Sequence, residues 1–464
     1  MPRRPVQLIA LAGTLALTLS QLHNGSYAGY AATGDGAGRF ETISEYSVDG
    51  NAEIMQAAAG GRYLVHTNSK RSSVDVVDLT DPAAASTVSS VELPGEPTSV
   101  GVSPDGNWAL AVVYASKPKA NKKPIDPRLP GVLALIDLRN PADASVTALM
   151  GIGHHPDSIA VAASGDSLVA VIAIENEPLI VVDGKVLDSD APGHANDISE
   201  KGSIQIVTIN PLKPNHYSLT TLALGESLLR DAHMLNAADP QPEYVAIARG
   251  RQLAAVSLQE NNGIALVDYL AGEVTGAWDL GVVAARPADL VNDDDSGFAQ
   301  TYPTDALSTE PLAGTRFPDA ISFTPDGEFI LSADEGELPL TGGRGFSIWT
   351  LNGEWVWDDG GEIERRATEL GLYPDDRSDV RGIEIEGITA ARFGDRDYAF
   401  AVSERGSFVV IYDISDPRAP EFVQILPTGK GPESVVAIPQ RNLVAVAAEK
   451  GGSITIIGHI TDAE

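Results

Sequence analysis

The sequence predicts an all-β fold, a seven-bladed β-propeller of four-stranded antiparallel blades. Three observations lead there: an acidic phrase that recurs seven times, short apolar runs divided by proline and glycine turns, and little helical periodicity. In each copy a proline or polar residue and an acid precede a short apolar run, a turn and a second run that ends near glutamate. Pro156-Asp157-Ser158-Ile159 leads to Ile174-Glu175, and Pro242-Glu243-Tyr244-Val245 leads to Gln259-Glu260. Pro318-Asp319-Ala320-Ile321 leads to Asp334-Glu335, Ile385-Glu386-Gly387-Ile388 to Ser403-Glu404, and Pro432-Glu433-Ser434-Val435 to Ala448-Glu449. Two weaker copies come first: Glu53 before Gly60-Gly61-Arg62-Tyr63, and Pro97-Thr98-Ser99-Val100 before Ser103-Pro104-Asp105-Gly106.

The strands within a copy follow in order. Ala320-Ile321-Ser322-Phe323 meets the turn Thr324-Pro325-Asp326-Gly327, whose proline and glycine supply the fixed and positive φ angles of a reversal. Phe329-Ile330-Leu331-Ser332 is the returning strand. Third strands read as Val74 to Asp78, Val132 to Asp137, Ile264 to Asp268 and Val409 to Asp413. A fourth follows an Asp-Pro or Asn-Pro corner, as in Ala419-Pro420-Glu421-Phe422-Val423. The best helical pattern spans Ile363 to Leu370. Four short antiparallel strands repeated radially describe a propeller.

The copies average roughly 60 residues, above the minimal blade of roughly 40–45. The surplus falls in insertions at Ser116 to Pro130, Asp183 to Lys201, Ser227 to Pro240, Ala284 to Arg316 and Asp358 to Arg381. Long insertions on a rigid scaffold commonly carry binding specificity. A chain of 464 residues often forms several domains, but the repeats predict one propeller over residues 29–464.

Residues 1–28 read as an export signal: Arg3 and Arg4, an apolar stretch from Val6 to Leu19, and a cleavage site at Ser26-Tyr27-Ala28, with Ala31 the alternative. Pro-Arg-Arg-Pro-Val fits the twin-arginine pattern poorly, so general secretion is expected, to the periplasm or the medium. No later stretch is long and apolar enough for a transmembrane anchor. The chain has no cysteine, which excludes disulfides, thiol nucleophiles and cysteine metal sites. With 43% apolar residues it can build a large core by packing alone, and a monomer is expected.

Acids outnumber bases 64 to 32, a formal net charge of -32. Nucleic-acid binding is not expected from such a surface, whereas attraction of cations is. Hairpin geometry then places the repeated acids. If the first strand of a blade lines the channel, its start and the end of the second strand share one mouth. Asp157 would meet Glu175 there, as would Glu243 and Glu260, Asp319 and Glu335, Glu386 and Glu404, and Glu433 and Glu449. Glu53 with Asn68 adds one acid, and the blade beginning at Thr98 lacks the pair.

Tyr63-Leu64-Val65-His66-Thr67-Asn68 followed by Val74 to Asp78 resembles a YVTN-type propeller repeat. Four further stretches are similar to the bacterial choice-of-anchor I family: Leu258-Gln259-Glu260-Asn261-Asn262, Phe346-Ser347-Ile348-Trp349, Asp375-Asp376-Arg377-Ser378-Asp379, and Tyr412-Asp413-Ile414-Ser415-Asp416-Pro417 with Ala419 to Val423. The resemblance implies an exported propeller, often periplasmic or at the cell surface. Some relatives carry alkaline-phosphatase-like labels, but the family supplies no catalytic motif to transfer. The chain departs from the family's Pro-Glu-Pro-Glu-Gly stretch at Ile383-Glu384-Ile385-Glu386-Gly387, and it is shorter than many relatives around residues 284–316.

The ten paired acids are the candidate metal ligands, with calcium, a cation of six to eight oxygen ligands, expected first. Two like charges 4 Å apart repel by about 4 kcal/mol at an effective dielectric near 20, so crowded carboxylates protonate, separate or take a cation. The competing reading is structural: strand-end acids bonded to backbone N–H groups or to local bases such as Arg405 and Lys450. Function accordingly reads as binding of a small-molecule ligand or an envelope protein at a cation-bearing mouth. A metal-dependent phosphate-ester hydrolase and a non-catalytic scaffold are the alternatives. His154-His155 stands beside Asp157 as a ligand, a general base or a solvated loop. No spaced histidine set, phosphate-binding loop or Gly-x-Ser-x-Gly elbow accompanies it. Gly342-Gly343-Arg344-Gly345 reads as a turn, and the acidic run from Asn292 to Gly297 as a solvated loop.

Overall fold

The structure is a computed structural model that describes residues 30–31, 39–114, 129–175, 180–182, 185–187, 201–292, 314–336 and 342–460. The expected signal segment, residues 116–128 of the expected insertion from Ser116 to Pro130, and the acidic run after Asn292 lie outside the described residues. Strands dominate. They form seven antiparallel sheets of four strands, one of which carries a fifth, and a separate hairpin, Ile180–Val182 with Lys185–Leu187. Each sheet is a blade.

Blade 1 runs Met55–Ala58, Tyr63–Asn68, Ser73–Asp78 and Ser86–Glu92, and blade 2 runs Glu96–Val102, Trp108–Tyr114, Val132–Asp137 and Ser145–Gly151. Blade 3 has Pro156–Ser164, Ser167–Ile174, Ser203–Ile209 and Tyr217–Ala223; blade 4 has Pro242–Ile247, Leu253–Leu258, Gly263–Asp268 and Glu273–Asp279. Blade 5 has Pro318–Phe323, Phe329–Asp334, Gly345–Thr350 and Trp355–Asp358. Blade 6 has Ile385–Phe393, Arg396–Ser403, Phe408–Asp413 and Glu421–Pro427, with Tyr30–Ala31 added at its outer edge. Blade 7 takes Pro432–Ile438, Leu443–Ala448 and Ser453–Ile460 from the end of the chain and Arg39–Ser47 from near its start. The first strands of successive blades contact one another around the ring, and blade 7 meets blade 1.

Burial follows position in the blade. Second strands such as Trp108–Tyr114 and Leu443–Ala448 are buried throughout, because both faces pack on neighbouring blades. Outermost strands such as Ser145–Gly151 alternate, with one face in solvent. The apolar clusters lie between blades; the one between blades 5 and 6 gathers Phe346, Tyr373, Ile383, Ile385, Phe408 and Tyr412.

Two strands far apart in sequence close the ring. Arg39–Ser47 pairs with Ser453–Ile460, from Arg39 opposite Ile460 to Ser47 opposite Ser453. Phe40 seats it: its N–H donates to Gln424 Oε1 at 2.9 Å and its carbonyl accepts from Gln424 Nε2 at 3.0 Å. The Phe40 ring meets Phe393, Tyr398 and Phe400 edge-on at 5.2–5.5 Å.

The expected helix is present as Glu362–Glu369 in the insertion after blade 5, burying Ile363 and Ala367 at helical spacing. Its Arg365 and Arg366 pair with Glu362 and Glu369 on the other face. The arginine of Gly342 to Gly345 is committed internally. Arg344 donates to the Asp289 and Ser378 carbonyls at 2.8 and 2.9 Å and pairs with Glu364 at 3.5 Å.

Candidate functional site

The blade register turns the repeated acids toward the axis. In blades 2 to 7 the first strand begins near a proline or isoleucine, and its pairing then shifts by a bulge: between Pro97 and Ser99, Pro156 and Ile159, Pro242 and Val245, Pro318 and Ile321, Ile385 and Gly387, and Pro432 and Ser434. Proline has no N–H to give the ladder, so it sits at the strand's first position, or in blade 2 at the second, and a bulge after it re-aims the next side chain. Asp157, Glu243, Asp319, Glu386 and Glu433 fall inside these bulges. They line a cavity of about 280 Å³ together with Glu53, Glu96 and Glu449.

All seven blades therefore give this mouth an acid. Thr98 holds the bulge of blade 2, which lacks the acid pair of the other blades, but Glu96, two residues earlier, lines the cavity. The neighbour of Glu53 is corrected. Asn68 Nδ2 donates to the Asp49 carbonyl and to Asp75, each at 2.8 Å, while Ser69 Oγ and Asn51 Nδ2 serve Glu53. In blade 4, Leu258 pairs with Pro242, as Ala448 does with Pro432. Gln259 thus takes the place that Glu449 holds in blade 7, and Glu260 comes one residue later. Even so, Glu260 is the nearby charge that acts most on Glu243.

The acids divide into two electrostatic sets. At the ends of the second strands, Glu335 pairs with Arg381 at 2.6 Å and accepts from Gln259 Nε2 at 2.7 Å. Glu404 pairs with Arg405 at 2.7 Å and with Lys450. Glu384, which has no exposed surface, joins Arg377, Arg381 and Arg405 at 2.6, 3.3 and 2.9 Å. Four bases thus face three acids, and this flank is neutralised by protein.

The bulge acids are different. Burial first, and then the charges of Glu260, Asp319, Glu175 and Asp157, raises the Glu243 carboxyl well above the usual range. Burial followed by Glu335, Asp157 and Glu433 does the same to Asp319, although Arg381 opposes it. Burial and then Glu433 raises Glu386. Glu433 is pushed up to about 7 by burial and Glu449, and Glu53 to about 7 by burial, with Glu449 and Glu96 adding to it. Glu243 and Glu386 each keep a buried carboxylate oxygen without a hydrogen-bond partner among the described residues.

Three groups bring ligand atoms within 4.8 Å of one another: Glu386 with Glu404 and Glu433, Glu335 with Glu384 and Glu386, and His155 with Asp157 and Glu175. Two oxygens facing each other across a calcium at 2.4 Å would stand about 4.8 Å apart, so the two oxygen-only groups are close enough to share one cation.

The chain matches the choice-of-anchor I domain over residues 53–337 and 337–417. It belongs to the choice-of-anchor I family. Choice-of-anchor domains occur in cell-envelope proteins, and membership points to a non-catalytic surface or binding protein. No curated protein matches the chain. Among solved structures it is similar to Kuenenia stuttgartiensis hydrazine synthase at 14% identity, with a TM-score of 0.54 over 89% of this chain and 96% of that one. It is also similar to the Myceliophteria thermophila Cps50 (Swd1) β-propeller domain at 10% identity, with a TM-score of 0.54 over 91% of this chain and 100% of that one. These likenesses show the propeller fold. No helix among the described residues is long and apolar enough to cross a membrane.

In this choice-of-anchor I chain the stretch Ile383 to Gly387 joins the core to the mouth. Ile383 and Ile385 enter the core, while Glu386 lines the mouth and the buried Glu384 brings a ligand oxygen within 4.8 Å of one from Glu386. The family stretch Asp375 to Asp379 docks the insertion beside it. Ser378 Oγ donates to Tyr373 Oη at 3.1 Å, and Arg377 reaches Glu384. Glu96, Glu384 and Arg381 are the site residues that the repeat pattern missed. Glu384 was legible as the outer member of the Glu-x-Glu pair, and Arg381 as a base closing an acidic insertion.

Proposed function

We propose that this protein is an exported binding protein of the cell envelope, periplasmic or secreted, whose channel mouth holds a divalent cation. Calcium is the expected ion, and through it the mouth takes a small-molecule ligand or an envelope protein. The observation that carries the reading is the split between the two sets of acids. Glu335, Glu384 and Glu404 have arginine or lysine partners. The bulge acids Glu243, Asp319, Glu386 and Glu433 are instead raised by burial and mutual repulsion. A cation replaces the shared protons there and relieves that repulsion. Carboxylates, with the backbone carbonyls and waters of a mouth this size, can supply a calcium shell.

Metal analysis of the purified protein, paired with calcium titrations of wild type and the Glu386→Gln/Glu433→Gln double variant, tests the reading. Wild type should retain or take up calcium, and the double variant should lose it. Wild type that neither contains nor binds a divalent cation would remove the proposal.

A further inference from the structure

The repeat offers the same three positions in more than one blade, and blade 3 fills them with different chemistry. The residue just before the first strand is left-handed in blades 3, 5, 6 and 7, with φ of 42° at His155, 48° at Phe317, 49° at Glu384 and 66° at Gly431. A backbone bond then ties this residue to the end of the second strand in blades 3, 6 and 7. Glu175 N–H donates to the His155 carbonyl at 3.1 Å, Glu404 to Glu384 at 2.9 Å, and Glu449 to Gly431 at 2.8 Å. With the bulge acid, these residues form a triad of positions. Blade 6 places Glu384, Glu386 and Glu404 there and meets two of them with arginines and a lysine. Blade 3 places His155, Asp157 and Glu175 there.

We infer that His155, Asp157 and Glu175 form a mixed nitrogen–oxygen site for a transition dication such as zinc, separate in selectivity from the oxygen-only wall of the mouth. His155 Nδ1 stands 3.0 Å from Glu175 Oε2, and one ligand atom from each of the three residues lies within 4.8 Å of the others. Ligand atoms about 2.1 Å from a zinc ion stand roughly 3.0–3.4 Å apart at angles of 90–109°, a spacing the His155–Glu175 pair already has. The imidazole is already oriented: it stacks on Tyr114 at 4.4 Å and 20°, and Tyr114 is 2% exposed. The donors come from a loop, a bulge and a strand end tied together by the backbone bond, which limits the ordering cost of binding.

The donor set decides the ion. Imidazole favours zinc, copper, nickel and iron over calcium and magnesium, whose preference is for oxygen alone. Three protein donors leave at least one coordination position for water or an exchangeable ligand, as in zinc sites that are not purely structural. Asp157 lines the central cavity, so that open position belongs to the mouth and suits an oxyanion ligand carrying a carboxylate or phosphate. The inference rests on the cation-binding reading only through Asp157, which both sites share.

The test uses the purified full chain, stripped with chelator, and titrated separately with zinc chloride and calcium chloride. His155→Gln should weaken zinc binding at least tenfold and leave calcium binding within twofold, while Glu433→Gln should do the reverse. X-ray absorption at the zinc edge should show an imidazole nitrogen in the first shell, a readout that needs no variant to fold. A first shell of oxygen alone, unchanged zinc affinity in folded His155→Gln, or no zinc binding by wild type overturns this site. Loss of calcium binding with zinc binding intact would overturn the oxygen wall instead.

Discussion

The carboxyls of Glu386 and Glu433 offer ligand oxygens within 4.8 Å of each other from the bulges of two adjacent blades. Each sits where the chain has turned an acid inward after the first residue of its strand. Burial and the neighbouring charges raise both, Glu433 to about 7. The fold therefore spends stability to hold acids in one place, and the consequences are measurable.

Stability without divalent cations should depend on pH with a definite sign. Glu53 and Glu433 titrate near 4.5 when unfolded and near 7 in the fold, so between those values the folded state binds more protons. Their contribution is fully present below pH 4.5 and is lost as the pH rises through 7. Each unit of upward shift corresponds to about 1.4 kcal/mol, reduced here because the groups border a cavity open to water. Melting temperature in chelator should fall from pH 5 to pH 8, and added calcium should flatten that fall.

Removing one charge from the wall should stabilise the chelated protein. Glu433→Gln keeps the shape and removes a like charge beside Glu386 and Glu449. At pH 8 in chelator its melting temperature should exceed that of wild type by about 1–3 °C. With calcium present the order should reverse. Scanning calorimetry with and without calcium checks both halves.

The neutralised flank should respond in the opposite way. Glu384 is fully buried and holds three arginines together. Glu384→Gln should cost about 3 kcal/mol, because breaking a buried pair leaves uncompensated charge. A double-mutant cycle with Arg377→Gln in urea should return a coupling of about 1 kcal/mol or more.

The ring closure gives a prediction remote from the mouth. Phe40 is 1% exposed and packs against the rings of blade 6, whereas Ile43, on the same strand, is 41% exposed. Phe40→Ala should cost about 3–5 kcal/mol and speed proteolysis within residues 39–47. Ile43→Ala should stay within about 0.5 kcal/mol of wild type.

The propeller was legible because its hairpins carry local instructions: proline before the acid in blades 3, 4, 5 and 7, Pro-Asp-Gly at the turn in blades 2 and 5, and Asp at the end of the third strand in blades 1, 2, 4 and 6. The ring of acids was legible for the same reason, since alternate residues of a strand share a face. The closure was not. Arg39–Ser47 has no neighbouring turn to mark it and pairs with a strand more than 400 residues away. Register errors of one residue explain the misplaced Asn68 and the offset of Glu260, because the last pair of a hairpin leaves no mark in composition. Arg381 and Glu384 meet through an insertion whose path repeats cannot specify.

Calcium titration of chelator-treated protein, followed by calorimetry at pH 8 and pH 5.5, bears most directly on the acidic mouth. Saturable binding at pH 8, weaker at pH 5.5 and accompanied by proton release near pH 7, is the expected result. Millimolar calcium that produces neither binding heat nor a rise in melting temperature at pH 8 would contradict a cation-binding mouth.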